Sequence, residues 1–136
     1  HEKSALAKHY FVCDACEYHF PISARRRVKQ LIDSKTFREH TGNLVSSDPI
    51  AFPGYEEKLE ANRKKTGNSD AIITGVGNID GNKTVLIVLD STFMMGSMGK
   101  CVGEKIVNAV ERATKEKLPV ILFACSGGAR MQEGMV

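Results

Sequence analysis

Long apolar runs are missing from this 136-residue chain. No stretch approaches the ~18 residues that carry a helix across a bilayer, so a membrane-spanning helix is excluded. Histidine is missing beyond position 40: His1, His9, His19 and His40 all lie in the N-terminal third. The sequence holds no GxSxG elbow, HExxH pair, Walker loop or GxGxxG turn, so the usual carriers of hydrolase, zinc-peptidase and nucleotide chemistry are absent. Cysteine is scarce, at four residues, and nothing in its spacing suggests a secreted disulfide framework. Cys101 and Cys125 sit in apolar surroundings and are expected to be buried small hydrophobes in a reducing compartment. No signal-peptide pattern or internal repeat is visible. An excess of one charge is also lacking; the net value of +3 carries no argument for nucleic acid.

With 42% apolar and 26% charged residues, the composition fits one globular domain with a real core. Ser23 is placed to cap a helix over Ala24 to Ser34, with Val28, Leu31 and Ile32 as its apolar stripe. Thr41 to Gly54 reads as loop, and Tyr55 to Thr66 as a polar surface helix stopped by Gly67. Ala71 to Ile79 and Thr84 to Leu89 are β-rich and flank the turn Asp80-Gly81-Asn82. Asp90 to Lys100 is a glycine-bearing loop. Cys101 to Lys117 is a helix whose expected inner face is Val102, Ile106, Val107, Val110 and Ala113. Pro119 to Ala124 is a buried strand. Strand, helix and strand at these spacings predict a βαβ crossover with a parallel pair. The clusters Arg25-Arg26-Arg27 and Arg63-Lys64-Lys65 read either as solvated helix faces or as contacts for phosphates.

The strands Thr84–Leu89 and Pro119–Ala124 would release their following loops on the same side, where α/β sheets bind ligands. One loop contains Phe93, Met94, Met95, Gly96, Ser97, Met98 and Gly99, a mixture suited to walling an acyl or ring-shaped group. The other is Ser126-Gly127-Gly128-Ala129-Arg130-Met131-Gln132-Glu133-Gly134. Two glycines between a strand and a helix-competent segment would aim free backbone N–H groups at one point, the geometry that holds an oxyanion or a thioester enolate. An ordinary strand-to-helix turn would look the same over two glycines. No acid–base or nucleophile set accompanies either loop; Ser126 has no histidine partner nearby. The base therefore has to come from a cofactor or another chain. Cys13 and Cys16 form a CxxC, half of the usual four-ligand zinc site; a redox pair and a pair without a role stay open beside it.

In order along nearly the whole chain, these residues resemble the family of bacterial and plastid acetyl-CoA carboxylase carboxyltransferase β subunits. The matching stretches are Val12-Cys13-Asp14-Ala15-Cys16 with His19-Phe20, then Ile22 to Arg27, Asp48-Pro49, Lys65-Thr66-Gly67 and Asp70-Ala71. Phe93-Met94, Gly96 to Gly99, Val102 to Lys105 and the specific string Ser126 to Gly134 complete the series. The resemblance implies an α/β, crotonase-like (ClpP/crotonase) βαβ fold with a small zinc-ribbon remnant. It divides the chain into a ribbon part (1–22) and the N-terminal portion of the transferase domain (23–136). It also implies a cytoplasmic or plastid-stromal enzyme, roughly twice this long, that moves carboxylate from carboxybiotin to acetyl-CoA to give malonyl-CoA.

The implied partners are a carboxyltransferase α subunit, in an α2β2 assembly, and a separate biotin carboxyl carrier protein; nucleic acid is a further partner linked to the ribbon. The implied oxyanion donors are Gly127 and Gly128. Phe93, Met94, Gly96, Ser97, Met98, Gly99, Ser126, Ala129 and Arg130 are the implied substrate-side residues, with Arg130 as an anchor of the turn. Cys13 and Cys16 are the implied zinc ligands, although the family's other CxxC is absent. Met95 and Lys100 depart from the family pattern, which has glycine and a small residue there. A propionyl-CoA carboxyltransferase, a malonyl decarboxylase subunit and a zinc-ribbon nucleic-acid binder are the competing readings.

Overall fold

The computed structural model describes residues 3–134, with His1 outside that range. Four helices and a four-stranded mixed sheet form the frame. The helices are α1 (Lys3–Lys8), α2 (Ala24–Leu31), α3 (Tyr55–Thr66) and α4 (Lys100–Glu116). The strands β1 (Arg38–His40), β2 (Ile72–Ile79), β3 (Asn82–Leu89) and β4 (Val120–Phe123) lie side by side in chain order. β1 and β3 flank β2 antiparallel, whereas β4 pairs parallel with β3 after the crossover through α4.

Period-two alternation explains the layers. Val85, Ile87 and Leu89 of β3 face one side, with Tyr55 and Leu59 of α3 and Val102, Ala109 and Ala113 of α4. Leu86 and Val88 face the other, with Ala24 and Val28 of α2. Leu86 and Ile87 are wholly buried, each contributing roughly 2–3 kcal/mol of hydrophobic stabilisation. The β2–β3 register joins Ile79 to Asn82, which leaves Asp80 and Gly81 as a two-residue turn. Both have positive φ, 48° and 79°, as a right-twisted hairpin requires.

Several expected boundaries move for physical reasons. α2 ends at Leu31 because Ile32 turns extended, with ψ 135°. The thin face of α3 is nonetheless a core face, since Tyr55 and Leu59 are each 1% exposed. The inner face of α4 runs through Val102, Lys105, Ile106, Ala109 and Ala113, while Val107 and Val110 point outward. Cys101 is buried as expected, but Cys125 is exposed because it follows β4, whose Val120, Ile121 and Leu122 are themselves exposed. The N-terminal hairpin closes through a Val12–His19 bridge.

Candidate functional site

Asp90 begins the construction. It follows β3, fully buried, and its carboxylate accepts hydrogen bonds from the Ala24 and Thr92 amides, the Asn68 side chain and the Thr92 hydroxyl. Those contacts fix the departure of the loop that follows. Phe93 is buried beneath it, and Asn62 of α3 accepts the Met94 amide at 3.2 Å. Met94, Met95 and Gly96 then form a tight turn in the left-handed region, with φ values of 44°, 56° and 70°. Glycine at 96 is obligatory for a second reason: a Cβ there would run into the Cys125 carbonyl.

The loop leaving β4 is stitched to this turn by backbone bonds. The Gly127 amide donates to the Met95 carbonyl at 2.9 Å, the Met98 amide to Gly128 at 2.8 Å, and the Arg130 amide to Met98 at 2.9 Å. Met98 and Ala129 thereby form a parallel bridge. The two loops expected to share a site do meet, edge to edge.

Arg130 holds them from below. Its side chain is 0% exposed and pairs with Asp70 at 2.6 Å and Glu133 at 3.4 Å. It also donates to the Ser97 carbonyl at 2.7 Å and to the hydroxyls of Ser97, Ser46 and Tyr55. Glu133 in turn accepts Tyr55 Oη at 2.5 Å and the Lys100 amide at 2.7 Å, which caps the start of α4. Carboxylates at a helix N-terminus are favourable because unpaired amides and the helix dipole face them. Burial alone would raise the Asp70 carboxyl. The Arg130 guanidinium, the Ser46 hydroxyl and the Ala71 amide outweigh it and hold the group below its ordinary value. Burial and the Glu133 contact push the Tyr55 hydroxyl up to about 12. Both groups are therefore held in fixed charge states, suited to scaffolding rather than to proton transfer near neutrality.

The expected site residues divide accordingly. Phe93, Gly96, Gly99 and Arg130 are buried; Met94, Ser97 and Gly128 are half-buried; Met98, Ser126, Gly127 and Ala129 are exposed along the paired loops. Arg130, expected on the substrate side, lies beneath the loops with its side chain bonded to Asp70, Glu133 and Ser97. The two glycine amides are not free as the strand–turn–helix reading expects. The Gly127 amide donates to the Met95 carbonyl, and the Gly128 amide donates to Ser126 Oγ at 3.1 Å. Nor does a regular helix follow within the described residues. Met131–Glu133 forms a short 3-10 turn there, with Arg130 and Glu133 buried. What does face outward is Gly128, at φ 105°, with nothing within 4 Å of the position a Cβ would take. Asp70, Glu133, Tyr55 and Ser46 were missed by sequence reasoning; Asp70-Ala71 stood out only as a stretch of the family pattern.

At the N-terminus the Cys13 thiol accepts hydrogen bonds from the Ala15 and Cys16 amides, which lower its pKa. Among the described residues no group of three or more His, Cys, Asp or Glu side chains comes together to hold a metal. Cys13 and Cys16 are two of the four ligands that a structural zinc needs, so the described residues do not form the expected zinc site. The arginines of the first basic cluster are engaged within the chain: Arg25 pairs with Glu39 at 3.4 Å, and Arg26 and Arg27 lie over the rings of Phe11 and Phe123.

Several known proteins are similar to this chain. A family model described as "Carboxyl transferase domain" matches residues 33–136. The chain is 50% identical over 130 residues to the acetyl-coenzyme A carboxylase carboxyl transferase subunit beta of Carboxydothermus hydrogenoformans, covering 96% of this chain and 46% of that one. It is 51% identical over 130 residues to the carboxyl transferase subunits beta/alpha of Clostridium tetani, covering 96% of this chain and 23% of that protein. Among solved structures it is similar to transcarboxylase 12S, crystallised with methylmalonyl-coenzyme A and methylmalonic acid. The TM-score is 0.71 at 30% identity, covering 84% of this chain and 21% of that one. The chain thus spans less than half the length of these relatives.

Proposed function

This chain belongs to the carboxyl transferase domain family, and from that premise we propose that it is the N-terminal portion of a β subunit that carboxylates acetyl-CoA to malonyl-CoA. The observation that carries this reading is the 50% identity to such a subunit along 96% of the chain; both site loops lie within the residues 33–136 that the family model matches. A mixed α/β sheet of the kind found in transcarboxylase 12S supports it. On this reading residues 23–136 supply transferase fold and residues 1–22 a ribbon segment. Zinc would need two further ligands beside Cys13 and Cys16.

Carboxybiotin, brought by a separate carrier protein, supplies the carboxyl group and a ring nitrogen able to take the proton from the acetyl methyl. The residues of this chain hold the thioester. Its oxygen gains negative charge as that proton leaves, and Gly128 is open on the side that a Cβ would take, where the oxygen can approach. The Ser126 hydroxyl now on that amide is exposed and swings aside at the cost of one weak hydrogen bond. The Gly127 amide joins as second donor when the Met95 carbonyl gives it up. Each such donor lowers the barrier by about 3 kcal/mol. The missing base in these loops is consistent with a proton acceptor carried by the biotin ring. An α subunit completes the site, in keeping with the beta/alpha pairing in the name of the Clostridium tetani relative. The internal pairing of the first basic cluster leaves the nucleic-acid reading without a specific observation in its favour.

The test is carboxyl exchange from malonyl-CoA to biocytin by the full-length protein mixed with its α partner. Activity is expected in the mixture and in neither component alone. A mixture inactive with malonyl, methylmalonyl and every other acyl thioester tried overturns the assignment.

A further inference from the structure

Met95 breaks a local rule at the site. It sits at φ 56°, ψ 25° between Met94 and Gly96, both also at positive φ. An unbranched side chain in that region costs roughly 1 kcal/mol relative to the ordinary helical one. Burial does not offset the cost, because Met95 is 74% exposed. Its placement is nonetheless specific. The Met95 carbonyl accepts the Gly127 amide at 2.9 Å. A Cβ built on Gly127 would meet the Met95 carbonyl oxygen at 3.2 Å, its Cβ at 3.4 Å and its Cε at 3.9 Å. The thioether therefore folds back over Gly127, one residue from Gly128, whose Cβ position has nothing within 4 Å.

We propose that Met95 is a specificity-determining residue: its side chain walls the space beside the Gly127–Gly128 amides and restricts the seated thioester to a short acyl chain. This rests on the acyl-CoA carboxyltransferase reading above. An acyl chain whose carbonyl oxygen meets the Gly128 amide extends its next carbons past Gly127. There the thioether occupies the volume a third or fourth acyl carbon requires. Methionine is flexible, so the wall is soft and its effect is that of one or two methylenes, about 10-fold per group.

The experiment compares Met95→Ala, Met95→Gly and Met95→Leu in the full-length protein assembled with its α partner. Carboxyl exchange is measured with malonyl-, methylmalonyl- and ethylmalonyl-CoA against biocytin. Alanine removes the wall and keeps the left-handed strain; glycine removes both, so failure to fold is not expected of it. Both are expected to raise kcat/KM for the two longer thioesters relative to malonyl-CoA by about 10-fold or more, while leucine keeps the ratio within about threefold of the parent. Ratios unchanged in both the alanine and glycine variants, with exchange retained, overturn the proposal and leave the carboxyltransferase assignment standing. A parent inactive with all three overturns both.

Discussion

Replacing Arg130 with methionine keeps most of the side-chain volume and deletes the charge on which the site's support converges. The guanidinium and the Asp70 carboxylate are each 0% exposed and 2.6 Å apart. In the variant Asp70 keeps the Ser46 hydroxyl and the Ala71 amide at 2.6 Å, but no countercharge. The Ser97 carbonyl also loses its 2.7 Å donor. Removing one partner of a buried pair costs about 3–5 kcal/mol, because the other charge is left desolvated. At about 3 °C per kcal/mol for a full-length chain of more than 150 residues, the melting midpoint falls by about 9–15 °C. Urea and thermal melts of the full-length protein measure this directly. Adding Asp70→Asn should recover part of the loss, since the double variant buries no orphan carboxylate there. A loss below about 1 kcal/mol, or single-variant losses that simply add, would refute the claim that this pair holds the loops.

Gly128→Val tests the anion site from the other side. The position is open in space, so the side chain fits, but φ 105° is forbidden to a β-branched residue. Turnover should fall at least about 100-fold with secondary structure retained by circular dichroism; retained activity would place the anion donors elsewhere. For acid stability the sign follows from Asp70, whose folded pKa lies below its ordinary 3.8. Its stabilisation is fully present above that value and is lost as pH falls through the lower folded value. Melting midpoints taken from about pH 5 down to pH 2 should drop, and Asp70→Asn should flatten the slope.

What could be read from the residues depended on whether their partners were local. β3 alternates Val85, Ile87 and Leu89 against Leu86 and Val88 between two cores, so its apolar run announces a strand covered on both faces. β1 was missed because Arg38-Glu39-His40 has no apolar alternation; backbone pairing to Val76, Gly75 and Thr74 makes it a strand. The segment after Gly128 has helix-forming residues, yet Arg130 is drawn under the loop by Ser97, Asp70 and Ser46, which lie 33, 60 and 84 residues away. No local signal encodes partners at such separations. Met95 is different, because both kinds of information meet there. Its residue type departs from the glycine that the sequence resemblance implies there, and its backbone occupies the region glycine favours. Strain kept at an exposed position, without burial to offset it, is expected where a side chain serves the site rather than the fold. Restoring glycine therefore separates the two: Met95→Gly should raise stability by about 1 kcal/mol while it loosens the choice of acyl chain. A variant that gained stability and kept the parent's acyl preference would assign the methionine no part in selection.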